Sequence, residues 1–158
     1  MINFARLEEG IFIGSAPTNS VDVARLKTMK ITDVLSLQSD EDFRTHKISW
    51  DKLDAAYLYN QIALHRYPIL DFDEMDLANR LPEPVRALNN LIEQAKCVYV
   101  HCNAGVCRAP ATVLTYLCHF RSMTIEEGLE YIRAQRPQAN PYISAVQRSL
   151  NRLSDESH

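Results

Sequence analysis

A single α/β domain with a mainly parallel central sheet flanked by helices is what this sequence predicts, on three observations. Short β-branched and aromatic runs alternate with helical patterns along the chain. One such run, Val98-Tyr99-Val100, passes through small residues into a helix, so that strand, tight loop and helix follow one another. The 158 residues are 46% hydrophobic, enough for one core, and contain no repeat, linker or low-complexity segment.

The elements follow in order. Asn3 to Leu7 and Ile11 to Gly14, separated by Glu8-Glu9-Gly10, read as a small hairpin or two short edge strands. Ser20 is placed to cap a helix from Val21 to about Met29, with Val23, Leu26 and Met29 on one face. Ile31 to Leu37 is a partly alternating strand, and the charged stretch from Gln38 to Lys47 reads as a loop. Ser49 opens a helix through Tyr59, and a strand follows at Ala63 to Ile69. Pro82 and Pro84 stand near the start of a helix that turns Val85, Leu88, Leu91, Ile92 and Ala95 inward. After the Val98 strand, Pro110 suits the first position of a helix, where a missing N–H costs nothing. Thr124 and Glu127 form a capping box for the helix that Arg136-Pro137 ends. Asn140-Pro141 starts a last helix through about Leu153, with Val146, Leu150 and Leu153 as its stripe.

Chemistry concentrates in the loop that begins at His101-Cys102. A loop closed onto a helix N-terminus turns backbone N–H groups inward and makes a concave anion site. Gly105 lets the backbone curl, and Arg108 adds a planar fork able to hold two phosphate oxygens. In such a field Cys102 should be a thiolate at neutral pH and hence a nucleophile. Sulfur attacking phosphorus is the reaction this suggests. His101 adjoins the cup and reads as a supporting residue rather than an ordinary core histidine.

A net charge of −3 gives no basic footprint for nucleic acid. The apolar runs fall short of a membrane span, and the first residues lack the pattern of a signal peptide, so a cytoplasmic protein is expected. Its four cysteines are expected to be reduced.

His101-Cys102-x5-Arg108 resembles the signature of the cysteine-dependent protein tyrosine phosphatases, in their dual-specificity branch. The spelling Cys-Asn-Ala-Gly-Val-Cys-Arg-Ala-Pro is similar to that of the glucan phosphatases, laforin and the plant starch phosphatases. An opening Ile-Phe-Ile-Gly-Ser-Ala-Pro, the strand Ile-Thr-Asp-Val-Leu-Ser-Leu-Gln and the Leu70-to-Leu77 loop extend the likeness over nearly the whole chain. The resemblance implies one dual-specificity phosphatase catalytic domain over residues 1–158, monomeric and without a cofactor or metal. It also implies hydrolysis of phosphomonoesters through a phosphocysteine. Asn103, Ala104, Gly105, Val106, Cys107 and Arg108 would form the phosphate loop, and His101 would orient it and lower the thiol pKa. Asp71 would be the general acid and Leu77 the anchor of its loop, with Asp73 as competitor and Asp76 at the start of the next helix. The partner expected is a phosphotyrosine, phosphoserine or phosphothreonine protein, or a phosphorylated glucan. Tyr57 and Tyr59 could supply sugar platforms, whereas Met75 and Asn140 stand where the plant enzymes offer aromatics.

Two positions depart from the pattern. Ala109 replaces a hydroxyl that normally bonds the sulfur, which predicts slower turnover of the phosphoenzyme without loss of attack. Cys107 replaces an expected glycine; it is either a small buried residue or a redox partner for Cys102. Asn140 either caps the last helix or packs beside the phosphate loop. Cys118 and His119 read as core and surface. Rival readings are a non-catalytic phosphate-binding module, a zinc site on His101, Cys102, Cys107 and Cys118, and a sulfur transferase.

Overall fold

Five short strands, β1 (Phe4–Leu7), β2 (Ile11–Gly14), β3 (Asp33–Ser36), β4 (Ala63–Arg66) and β5 (Val98–His101), form one sheet in the order β1-β2-β5-β3-β4. Only β1 runs antiparallel to its neighbour; β2, β5, β3 and β4 are parallel, as the alternation of strands and helices requires. The computed structural model describes residues 1–7 and 10–156, so the Glu8-Glu9 part of the first turn lies outside the described residues. β2 is not an edge strand, since β5 pairs with its other side.

Side chains leave each strand alternately, and the two faces build two cores. Ile13, Leu35, Val98 and Val100 face one way. They meet side chains from α4 (Glu74–Arg80), α5 (Pro82–Glu93), α6 (Arg108–Phe120), α7 (Ile125–Gln135) and α8 (Ile143–Glu156), among them Leu77, Val85, Leu114, Ile132 and Val146. Phe12, Val34 and Tyr99 face the other way. There they pack on α1 (Ser20–Thr28), α2 (Asp40–Thr45) and α3 (Trp50–Tyr59) through Val23, Leu26, Phe43 and Leu53. The parallel strands all end toward one rim, and the Cys102 loop leaves β5 there.

Several boundaries differ from the sequence reading. The expected loop from Gln38 to Lys47 contains the helix α2, opened by a capping box in which the Ser39 hydroxyl and the Asp42 carboxylate exchange bonds with each other's backbone N–H. Only Phe43 of that helix offers a buried hydrophobic anchor, so no apolar stripe announced it. The Arg66 guanidinium secures it from β4, lying 4.9 Å from the Phe43 ring centre and 5.0 Å from that of Trp50 while donating to the Gln38 carbonyl and Asp40. Asn19, not Ser20, caps α1 by accepting from the Asp22 N–H. β4 ends at Arg66 rather than Ile69. Pro110 is the third residue of α6, still among the positions whose N–H has no intrahelical partner. The last helix begins at Ile143, so Asn140 does not cap it. His119 is half-buried, its ring edge-on to Phe120.

Tyr57 is the largest correction. α3 turns Leu53, Ala56 and Tyr57 inward together, leaving Tyr57 only 2% exposed in the second core, so it cannot be a sugar platform. Its hydroxyl has no hydrogen-bond partner among the described residues, and burial holds its proton firmly, with the phenol pKa far above the usual value. Tyr57→Phe therefore removes a stranded polar group and should leave unfolding free energy unchanged or raise it by about 1 kcal/mol. Chemical denaturation checks this, with phosphate release by the same variant expected to equal that of the parent.

Candidate active site

The loop from Cys102 to Cys107 is defined by where its carbonyls go. His101 Nδ1–H donates to the Cys102 carbonyl at 3.0 Å, and the Ala16 N–H to that of Asn103 at 2.9 Å. Arg136 takes the next two, donating through Nη2 to Ala104 at 2.9 Å and through Nε to Gly105 at 2.7 Å. The Asn140 N–H holds Val106 at 2.7 Å, and the Ala111 N–H holds Cys107 at 2.9 Å. Each of these six peptides is trans, so the N–H across it points the opposite way from the captured carbonyl. Among the described residues no protein group accepts from the N–H groups of Asn103 through Cys107. Gly105 sits at φ +70 with its α-carbon against the Gly14 carbonyl, where a Cβ would come within 2.5 Å. Only glycine fits there.

Arg108 is 2% exposed and divides its guanidinium in two. Nη1 is spent on structure: it donates to Asp42 Oδ2 at 2.7 Å, the Ile69 carbonyl at 2.7 Å and the Leu37 carbonyl at 3.3 Å. The Nε and Nη2 groups are buried and make no hydrogen bond among the described residues. That free edge is what a bidentate oxyanion requires. Nη2 lies 3.3 Å from Asp71 Oδ2. Cys102, at the start of the same loop, is 3% exposed.

The acid loop separates the roles of its three aspartates. Asp73 caps α4 by accepting from the Asp76 N–H at 2.9 Å. Asp76 closes the loop by accepting from the Leu70 N–H at 2.8 Å and also pairs with Arg80. Asp71 alone reaches the cup: Oδ2 accepts from Asn103 Nδ2 at 3.2 Å and Oδ1 from the Phe72 N–H at 3.1 Å. Phe72 takes φ +58, so the chain turns sharply straight after Asp71, while Leu77 is buried beneath. Phe72 itself is 87% exposed at a mouth of about 500 Å³ that Glu41, His46, Asp71 and Ala104 also line.

Asp42 is the residue the sequence reading missed. One carboxylate oxygen accepts from Arg108 and from Ser39, and the other accepts from Asn103 Nδ2 at 2.8 Å. Because Asn103 turns its NH2 to these carboxylates, its oxygen must face Gln38 Nε2, at 2.8 Å. Burial pushes the Asp42 carboxyl up, but the bonds from Arg108, Ser39 and Asn103 together with the Arg108 charge outweigh it and hold the group below its ordinary 3.8. The signal available in the sequence was the Ser39-x-x-Asp42 spacing of a capping box.

His101 is 1% exposed, and burial lowers its pKa to about 4, opposed by the bond to the Cys102 carbonyl and reinforced by Arg108. It is neutral at pH 7 and touches the loop through a hydrogen bond rather than a positive charge. Cys107 is half-buried with its thiol pushed up by burial, and all four thiols are free. Among the described residues His101, Cys102, Cys107 and Cys118 do not assemble into a metal-binding group. Tyr59 is 88% exposed but lines a groove of about 900 Å³ between α1 and α3, with Lys47 and Lys52, and not the mouth. Met75 is exposed on α4 beside Arg148.

Asp42→Asn should cost about 1.5–3 kcal/mol of stability at neutral pH by weakening a charged, buried bond. Since the folded carboxyl titrates below its unfolded value, its contribution is complete above pH 3.8 and is lost as pH falls below it. The gap between parent and variant in denaturation should therefore be widest at neutral pH and close on acidification.

The family model for the dual specificity phosphatase catalytic domain matches residues 11–154. Among curated proteins, the chain is 30% identical over 137 residues to the phosphoglucan phosphatase DSP4 of Castanea sativa, covering 85% of this chain and 36% of that one. It is 28% identical over 141 residues to the dual specificity protein phosphatase Mpk3 of Drosophila melanogaster (89% and 31%), and 26% identical over 147 residues to laforin of Mus musculus (86% and 44%). The chain thus spans less than half the length of these relatives. In fold it matches Tk-PTP in its active form, with a TM-score of 0.77 at 18% identity over 94% of this chain and 97% of that one. It also matches PTPMT1 in complex with PI(5)P, with a TM-score of 0.77 at 18% identity over 98% and 99%.

Proposed function

Because the chain belongs to the dual specificity phosphatase catalytic-domain family, we propose that it is a metal-independent phosphomonoesterase working through a phosphocysteine, on phosphoproteins or phosphorylated glucan. One observation carries this reading: the Nε–Nη2 edge of Arg108, which no hydrogen bond occupies, stands in the same loop as a row of unpartnered N–H groups and Cys102. In this scheme the phosphate dianion enters the cup, where Arg108 and the loop amides bond its equatorial oxygens. The Cys102 sulfur attacks phosphorus in line; an S–P bond forms as the P–O ester bond breaks. Asp71, held beside Arg108 and Asn103, gives its proton to the departing oxygen. A water that returns a proton to Asp71 then attacks phosphorus and releases inorganic phosphate and the free sulfur. The exposed Phe72 ring offers the leaving group a flat surface, whether tyrosyl ring or glucose unit.

The test is phosphate release from para-nitrophenyl phosphate, phosphotyrosine and phosphoserine peptides, and solubilised phosphoglucan in parallel. Cys102→Ser should release none, and Asp71→Asn should lower kcat by about a hundredfold or more. A parent protein that binds vanadate yet hydrolyses nothing would be a binding module and would sink the reading.

Ala109 is fully buried behind the loop and supplies no hydroxyl toward the sulfur. Ala109→Ser should therefore raise kcat and KM together, leave kcat/KM unchanged and lower the amount of phosphoenzyme trapped by acid quench. An unchanged phosphoenzyme level would show that this step does not limit turnover.

A further inference from the structure

Arg136 is one of the largest fully buried side chains in the protein, 2% exposed, and the scheme above gives it no part. It forms no ion pair among the described residues. All its recorded bonds are to neutral acceptors: the carbonyls of Ala104 and Gly105, and Asn3 Oδ1 at 2.7 Å. A buried cation without a counter-ion is unfavourable by itself. Arg136 is moreover near enough to Cys102 for the two groups to interact electrostatically.

We propose that Arg136 is a positioning residue of the phosphate site: it turns two consecutive loop carbonyls outward so that the N–H groups across them face the oxyanion, and its unpaired charge is neutralised when phosphate binds. Two properties of the side chain make this specific. A guanidinium presents Nε–H and Nη2–H in a fixed fork, so Gly105 and Ala104 are held as a pair; an ammonium is a single point and holds one. The second Nη2 proton goes to Asn3, beside β1, whose backbone in turn bonds Ser15. Gly105 also has no room to move toward β2, because the Gly14 carbonyl and Arg136 Nη2 already crowd its α-carbon. The loop is thus clamped between β2 and the arginine.

The inference rests on the phosphatase reading, and the experiment separates the two. Vanadate affinity and phosphate release are measured for the parent, Arg136→Gln, Arg136→Lys and Asn3→Ala, each with its melting temperature with and without vanadate. The parent should bind vanadate and gain melting temperature from it. Arg136→Gln should weaken vanadate binding by about tenfold and lower kcat/KM by about a hundredfold, with a smaller vanadate-induced gain in melting temperature. Arg136→Lys should stay within about threefold of the Gln variant, since charge without the fork does not restore two carbonyls. Asn3 is exposed, so Asn3→Ala should fold and weaken vanadate binding by about threefold with little change in melting temperature. It decides the matter if the Arg136 variants are insoluble. Arg136→Gln with a lower melting temperature but unaltered vanadate affinity and kcat/KM would make the arginine merely structural and overturn the proposal, as would full rescue by lysine or unaltered affinity in Asn3→Ala. A parent that binds vanadate but does not turn over sinks the phosphatase reading alone; a parent that binds no oxyanion sinks both.

Discussion

Six successive carbonyls turned away from one point are what the rest of the structure exists to hold. A peptide plane has two polar ends, and a short loop left alone would offer an anion a mixture of both. Here the acceptor ends are occupied by donors from five places: His101, the Ala16 segment after β2, Arg136 at the end of α7, the Asn140 segment and α6 itself. What remains is a set of donors with no competition from the protein. Preorganisation of this kind lets an incoming phosphate gain hydrogen bonds without first breaking others. The neutrality of His101 fits the same design, because a neutral ring donates to the Cys102 carbonyl without needing a counter-ion in a dry place.

Arg108 is organised by the opposite rule. Its inner nitrogen is saturated by Asp42 and by two carbonyls in the segments that follow β3 and β4, while its outer edge makes no hydrogen bond and has only the Asp71 carboxylate nearby. The short helix α2 therefore has a chemical purpose out of proportion to its size. Its capping box places a carboxylate where Arg108 and Asn103 can both reach it, and Asn103 passes that orientation on to Asp71 and Gln38. Helix cap, Arg108 and candidate acid are parts of one hydrogen-bonded chain.

How much of this could be read from residues alone varied with how local the signal was. The strand, loop and helix around Cys102 were legible because β-branched spacing, Gly105 and Pro110 all act within a few residues of one another. The capping boxes at Ser39 and Thr124 are equally local, yet only the second was recognised, since α7 carries an apolar face and α2 has Phe43 alone. Arg136 could be seen as a helix end but not as a buried cation, because its partners lie more than thirty residues away in sequence. Tyr57 was misplaced through its neighbours: Leu53, Ala56 and Tyr57 share a helical face, while Leu58 and Tyr59 are the ones that meet water. The different surroundings of Asp71 and Asp73 were not legible either, because the cap that Asp73 forms depends on where α4 begins.

The donors that shape the cup are drawn from Ala16, Arg136 and Asn140, and Arg136 also reaches back to Asn3. Contacts of such sequence separation form late, after much of the chain has already lost its freedom. During synthesis a ribosome-bound chain could build β1 to α6 and still lack the clamp, which emerges only with the end of α7. Nascent protein would then hold Cys102 in an unformed loop until Arg136 and Asn140 leave the exit tunnel, so the shaped cup would arrive in one step rather than gradually as the chain grows.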